Sequence, residues 1–161
     1  MQFFVDTANL DHIKEAAELG ILDGVTTNPS LMAKEGISGE KNILKHYRAI
    51  CEIVGEGRDV SAEVISTDFK GIVAEGKKLA DLHPNIVVKV PMIREGVKAI
   101  AYFTESNIKT NCTLVFSAGQ AILEEAGGQV VEFLSRWPLH YNKESLANPP
   151  FLATGALKSK S

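Results

Sequence analysis

The segment Asn85–Met92, NIVVKVPM, places a lysine inside the most strand-like run of the chain. A continuous run of β-branched residues is typical of a strand that is buried on both faces of a parallel sheet. Burying an ammonium group there is costly unless another group compensates the charge. The segment therefore predicts a central strand and a polar partner for Lys89.

Four further strand-like runs alternate with helix-like stretches. The runs are FFVD (3–6), GVTTNP (24–29), VSAEVIS (60–66) and KTNCTLVFS (109–117). Helical spacing of apolar residues predicts helices over 10–20, 41–54, 67–83 and 95–107, and a short one over 117–128. Strict alternation with short loops predicts an α/β fold with a parallel sheet, either closed as a barrel or open and doubly wound.

The sequence changes character after Gly128. Residues 1–128 carry the β/α pattern, and residues 129–161 contain no further clear βα unit. The stretch QVVEFL (129–134) fits a sixth strand or a helical extension, and the pattern does not decide between them. From Pro138 onward we expect irregular, partly disordered chain. The predicted domains are thus 1–128 and a divergent tail over 129–161.

Composition excludes several classes of function. The 161 residues are 45% hydrophobic and 23% charged with a net charge of −3, which gives no basic patch for nucleic acid. No apolar run could span a membrane, and MQFFVDTANL does not resemble a signal peptide. Cys51 and Cys112 are far apart with no His nearby, so we expect buried thiols, no metal site and a cytoplasmic protein.

In every predicted strand, polar residues occupy alternate positions and therefore share one face. Residues two apart in a strand share a face, and parallel β/α folds place active sites at the carboxyl ends of their strands. Each residue alone has a simpler explanation, such as a turn cap, a satisfied amide, or an ion pair of Lys89 with Asp6 or Glu63. Their coincidence on one face favours a polar centre. The residues are Asp6, Thr26, Asn28, Ser61, Glu63, Lys89, Asn111 and Thr113.

A lysine beside carboxylates suggests amine catalysis. A desolvated amine attacks a ketone and forms an iminium, which acts as an electron sink for cleavage of a neighbouring C–C bond. The reaction also needs a base for the hydroxyl proton and a proton shuttle for the carbinolamine. Asp6 and Glu63 are the candidates for both tasks.

Five motifs in order resemble the small transaldolase family, which includes fructose-6-phosphate aldolase-like proteins. The motifs are FFVDTANL, GVTTNPSLMAKEG, VSAEVISTD, NIVVKVPM and IKTNCTLVFSAGQAIL. The resemblance implies a (β/α)₈ TIM barrel and a class I Schiff-base enzyme without metal or cofactor. It also implies sugar-phosphate substrates, between which a dihydroxyacetone unit is transferred.

The resemblance assigns a role to each matching residue. It makes Lys89 the Schiff-base lysine, Asp6 the acid that handles the donor hydroxyl proton, and Glu63 the carboxylate that acts through water on the carbinolamine. Thr113 corresponds to the threonine beside that water. Thr26, Asn28 and Asn111 correspond to substrate-binding positions. A glutamate at position 63 resembles transaldolases, whereas the aldolase branch has glutamine.

The resemblance ends near Leu123, and the family's later motifs have no counterpart. The expected fold is therefore an incomplete barrel of five or six βα units, from a frameshifted or truncated C-terminus. The alternatives are fructose-6-phosphate aldolase-type cleavage, deoxyribose-phosphate-type aldolase chemistry, and an inactive family member. Family members form rings of five protomers, so a homo-oligomer is left open.

Overall fold

Residues 2–115, 129–132 and 151–154 are described by a computed structural model. Five strands form one sheet in the order of the chain. The first four pair in parallel, as the alternating pattern predicts. The strands are β1 (Phe4–Asp6), β2 (Gly24–Thr26), β3 (Asp59–Glu63), β4 (Ile86–Pro91) and β5 (Thr110–Thr113).

Helices occupy the connections between these strands. They are α1 (Leu10–Glu18), α2 (Pro29–Lys34), α3 (Glu40–Val54), α4 (Phe69–Ala80) and α5 (Arg94–Glu105). Four of them were predicted from their spacing of apolar residues. The sequence pattern missed α2, whose six residues are too few to show a period. Asn28 caps this helix, and Pro29 occupies its first turn.

One apolar core lies on one face of the sheet. It combines side chains from all five helices with strand residues of a single parity. A sheet covered by helices on one face matches part of a β/α barrel, whereas a doubly wound sheet has helices on both faces. The strand residues of the core are Val25, Val60, Ala62, Ile86, Val88 and Val90, and Val64, directly after β3, continues the same parity.

The inward face of α5 differs in part from the expected one. Helical spacing favours Val97, Ile100, Ala101 and either Phe103 or Thr104 as the inward residues. The structure buries Phe103 as one of these alternatives, together with Gly96 and Ala99. Phe103 packs on α4 at Gly76, where an added Cβ would lie 2.3 Å from the ring. The close contact between ring and backbone decides the rotation of the helix, and a period of apolar residues does not reveal it.

Residues 1–112 and 113–161 form two separate compact units. In the second, β6 (Gln129–Glu132) pairs antiparallel with β7 (Phe151–Thr154), and Val130 lies opposite Ala153. The stretch that begins at Gln129 fits a strand or a helical extension by sequence, and the structure shows a strand over Gln129–Glu132. The strand β7 was not expected in a tail predicted to be irregular. The predicted helix over 117–128 lies outside the described residues, and the predicted boundary after Gly128 stays a prediction.

Candidate active site

Lys89 and Glu63 lie directly opposite each other on β4 and β3. The Lys89 Nζ is 3.2 Å from Glu63 Oε2, and the two side chains are 13% and 19% exposed. The Lys89 Nζ also lies 3.5 Å from the carbonyl oxygen of Thr27. A carboxylate therefore compensates the lysine charge within the strand, as its burial requires. Glu63, rather than Asp6, is the carboxylate that pairs with Lys89.

Asp6 makes a separate contact one strand further along. It lies opposite Thr26 in the β1–β2 pairing, and the Thr26 hydroxyl donates to Asp6 Oδ1 at 2.8 Å. Asp6 is exposed and Thr26 is half-buried. An exposed carboxylate that accepts one hydrogen bond keeps its other oxygen accessible to a bound molecule. Asp6 and Thr26 thus form a second polar pair on the same sheet.

The two predicted amide ligands have partners within the protein. The Oδ1 of Asn28 accepts from the Leu31 N–H at 2.9 Å, which caps α2. The Nδ2 of Asn111 donates to the Ser61 hydroxyl at 3.0 Å. These contacts use only the oxygen of the Asn28 amide and only the nitrogen of the Asn111 amide, so each side chain can make further hydrogen bonds. Their roles in substrate binding stay predictions.

Thr113 is the last residue of β5 and is half-buried. It is the first residue of the second compact unit. Its predicted place beside the catalytic water stays a prediction.

A cavity of about 410 Å³ opens on the face of the sheet that carries the polar strand residues. Ser61 lies opposite both Thr26 and Val87 in the strand pairings, and Lys89 comes two residues after Val87. The cavity therefore lies on the amino-end side of the Lys89–Glu63 pair, and neither of these two residues lines it. Its lining residues are Phe4, Thr26, Asp59, Ser61, Val87, Thr110 and Asn111.

Tyr47 of α3 contacts β3 from the core side. It is 2% exposed, and its hydroxyl accepts from the Glu63 N–H at 3.3 Å. Burial raises the pKa of Tyr47 to about 12, and the Glu63 carboxylate adds to the shift, while the hydrogen bond from Glu63 partly offsets it. The phenol is therefore neutral at physiological pH. The helical spacing over 41–54 places Tyr47 on the apolar face, together with Ile50 and Val54, and does not predict this contact.

Groups that could hold a metal are absent from the described residues: no three His, Cys, Asp or Glu side chains cluster there. Cys51 is buried, which raises the pKa of its thiol to about 11 and makes it a poor ligand or nucleophile. The Sγ of Cys112 lies 3.8 Å from the Sδ of Met92. In the described part of the chain, no helix is long and apolar enough to cross a membrane.

Comparison with known proteins identifies the family. The transaldolase/fructose-6-phosphate aldolase family model matches residues 3–154. The chain belongs to this family. The match extends beyond Leu123, where the motifs recognised in the sequence end.

Relatives named "Probable transaldolase" match over 128 residues, or 80% of this chain. The proteins of Cytophaga hutchinsonii and Parabacteroides distasonis are each 69% identical, and that of Porphyromonas gingivalis is 65% identical. The matched segment covers 58%, 58% and 57% of these relatives respectively. The chain thus matches less than two thirds of the length of each of these relatives.

Membership of the transaldolase/fructose-6-phosphate aldolase family accounts for the fold described above. Its members are TIM-barrel aldolases, and the five-stranded parallel sheet with one helix-covered face corresponds to part of such a barrel. The chain is therefore an α/β protein of an enzyme family of the transaldolase and aldolase type.

Proposed function

We propose that the protein catalyses transaldolase-type transfer of a dihydroxyacetone unit, with Lys89 as the nucleophile. The observation that carries the proposal is the 3.2 Å contact between Lys89 Nζ and Glu63 Oε2, both nearly buried. A pair of this kind places an amine and a proton acceptor within one proton transfer of each other. The names of the relatives support the same activity.

The first step needs a neutral amine. Transfer of one proton from Lys89 to Glu63 leaves a free amine and a protonated carboxyl, with no net charge moved into the site. The amine nitrogen then attacks the ketone carbon of the sugar phosphate and forms a carbinolamine. Glu63 returns its proton, directly or through water, to the hydroxyl that leaves as water, and an iminium on Lys89 remains.

Asp6 is suited to the next step. Cleavage of the C–C bond beyond the iminium requires removal of the proton from the hydroxyl of the departing carbon. The electron pair of the broken bond moves to the iminium and gives an enamine, while an aldehyde departs. Asp6 is exposed and is oriented by the Thr26 hydroxyl at 2.8 Å, so it can accept that proton. It returns the proton when the enamine attacks the acceptor aldehyde.

The specific reaction follows from the family resemblance. We propose that sedoheptulose 7-phosphate and glyceraldehyde 3-phosphate give erythrose 4-phosphate and fructose 6-phosphate, as in the pentose phosphate pathway of the cytoplasm. Glu63 favours transfer over simple cleavage, because the aldolase branch carries glutamine at this position. No cofactor is required, since the lysine supplies the electron sink.

A coupled assay on the 161-residue chain tests this reaction. Fructose 6-phosphate is offered with and without erythrose 4-phosphate, and sedoheptulose 7-phosphate and glyceraldehyde 3-phosphate are measured. Transfer predicts both products only when the acceptor is present, and their loss in Lys89→Met but not in Lys98→Met, a surface lysine on α5. Glyceraldehyde 3-phosphate and dihydroxyacetone formed without acceptor would instead show cleavage. Absence of both reactions in folded protein would overturn the proposal.

A further inference from the structure

The ladder of backbone hydrogen bonds between β2 and β3 lacks its last expected bond, which would lie beside the candidate active site. Asp59 N–H donates to the Asp23 carbonyl at 3.2 Å, and β2 and β3 stay in register as far as the pair Thr26 and Ser61. In a parallel ladder this bond recurs every two residues along each strand. The second bond after the Asp59–Asp23 bond in this series would join the Glu63 N–H to the Thr27 carbonyl. These two groups are not bonded to each other.

Both groups of the missing bond have side-chain partners instead. The Glu63 N–H donates to the Tyr47 hydroxyl at 3.3 Å, and the Thr27 carbonyl lies 3.5 Å from Lys89 Nζ. Thr27 is fully buried, and its Oγ1 is the buried side-chain polar atom without a hydrogen-bond partner among the described residues. A buried amide or carbonyl without a partner is costly, so these replacements make an open ladder tolerable.

We propose that Tyr47 is a positioning residue, whose hydroxyl holds the β2–β3 ladder open so that the Thr27 carbonyl faces Lys89. The inference rests on the proposed function only in treating Lys89 and Glu63 as the reacting pair. The Thr27 carbonyl and the Glu63 carboxylate are both acceptors for the Lys89 ammonium, and two acceptors restrict the direction in which Nζ points. Closing the ladder gives the Thr27 carbonyl a competing donor and draws β2 toward β3.

Tyr47→Phe tests the proposal because it removes only the hydroxyl. The acceptor that the parallel register then provides for the Glu63 N–H is the Thr27 carbonyl. We expect a through-hydrogen-bond NMR coupling between the Glu63 amide nitrogen and the Thr27 carbonyl carbon in this variant. The coupling should be absent in the wild-type chain and in Tyr102→Phe, which removes a hydroxyl from α5. A coupling in the wild-type chain, or none in folded Tyr47→Phe, would overturn the proposal.

Lys89→Met distinguishes the effect of Tyr47 on the ladder from the effect of Lys89. It remains informative if Tyr47→Phe does not fold. Tyr47 is still present in this variant, so the coupling should remain absent, while the Thr27 carbonyl chemical shift should change. Appearance of the coupling would mean that Lys89 holds the ladder open, and an unchanged carbonyl shift would mean that Lys89 does not contact it. Either result contradicts the proposal.

A kinetic measurement links the ladder to chemistry. The amount of borohydride-trapped adduct on Lys89 is measured against pH for wild type, Tyr47→Phe and Tyr102→Phe. Loss of the Thr27 carbonyl as an acceptor should change the pH dependence of adduct formation in Tyr47→Phe but not in Tyr102→Phe, and a purely structural role would lower the yield equally at every pH. If the wild-type chain forms no adduct, the proposed function fails, and the NMR coupling decides the role of Tyr47 alone.

Discussion

Glu63 and Lys89 face each other across β3 and β4, with 3.2 Å between Lys89 Nζ and Glu63 Oε2, and the Lys89 side chain is 13% exposed. The contact resolves the conflict posed by a lysine in a run of apolar, β-branched residues. The desolvation of two charges offsets much of their attraction, so such a pair contributes little to stability compared with apolar residues of similar size. Its presence in the sheet is therefore consistent with the proposed role of Lys89 as the nucleophile.

The pair should show strong energetic coupling. Glu63→Ala leaves an unpaired ammonium near the core and should lower the free energy of unfolding by about 2 kcal/mol. The double variant Glu63→Ala/Lys89→Met should be more stable than Glu63→Ala alone, because no buried charge remains unpaired. Urea unfolding of the two single variants and the double variant measures this. Additive effects of the two substitutions would contradict a direct pair.

Asp6 should act after the adduct forms. Asp6→Asn keeps an oxygen that accepts from the Thr26 hydroxyl but cannot take the substrate proton. We expect borohydride to trap the adduct on Lys89 at a wild-type level, while aldehyde release falls at least about a hundredfold, within the usual range for a general base. Thr26→Val, which removes the hydroxyl that orients Asp6, should have a smaller effect. Loss of the adduct itself in Asp6→Asn would assign Asp6 to an earlier step.

Tyr47 should make the protein less stable in alkali. The native pKa of about 12 exceeds the ordinary value of 10.0, so between these values the unfolded chain loses a proton that the native state keeps. The contribution of Tyr47 is complete below pH 10 and falls as the pH rises toward 12, by up to about 1.4 kcal/mol per pH unit. Urea unfolding of wild type and Tyr47→Phe across this range measures the difference. Parallel pH profiles would contradict the prediction.

The contact between α4 and α5 should depend on Gly76. A methyl group there would lie 2.3 Å from the Phe103 ring, so Gly76→Ala should destabilise the protein by about 1–3 kcal/mol through overpacking. Adding Phe103→Leu removes part of the clash, and the double variant should lose less stability than the sum of the single changes. Thermal unfolding of the three variants tests this. An unchanged midpoint in Gly76→Ala would show that the ring moves aside freely.

Patterns along the chain predicted the strands that carry Lys89 and Glu63, because alternation and β-branched runs are local properties. The parity argument also placed both side chains on one face, and the structure pairs them. The contact of Tyr47 with Glu63 joins residues 16 apart, and that of Lys89 with the Thr27 carbonyl joins residues 62 apart. Neither leaves a trace in spacing, since a tyrosine on an apolar helix face is ordinary and a backbone carbonyl has no sequence signature. The strand β7 escaped prediction because four residues beside Pro149 and Pro150 show too little alternation.

Reductive trapping tests the central claim most directly. The 161-residue chain is incubated with fructose 6-phosphate and borohydride, digested, and examined by mass spectrometry, with Lys89→Met and Lys98→Met as matched variants. We predict one adduct, on Lys89, that is retained in Lys98→Met and lost in Lys89→Met. Folded protein that forms no adduct, or forms it equally on surface lysines, would contradict the account.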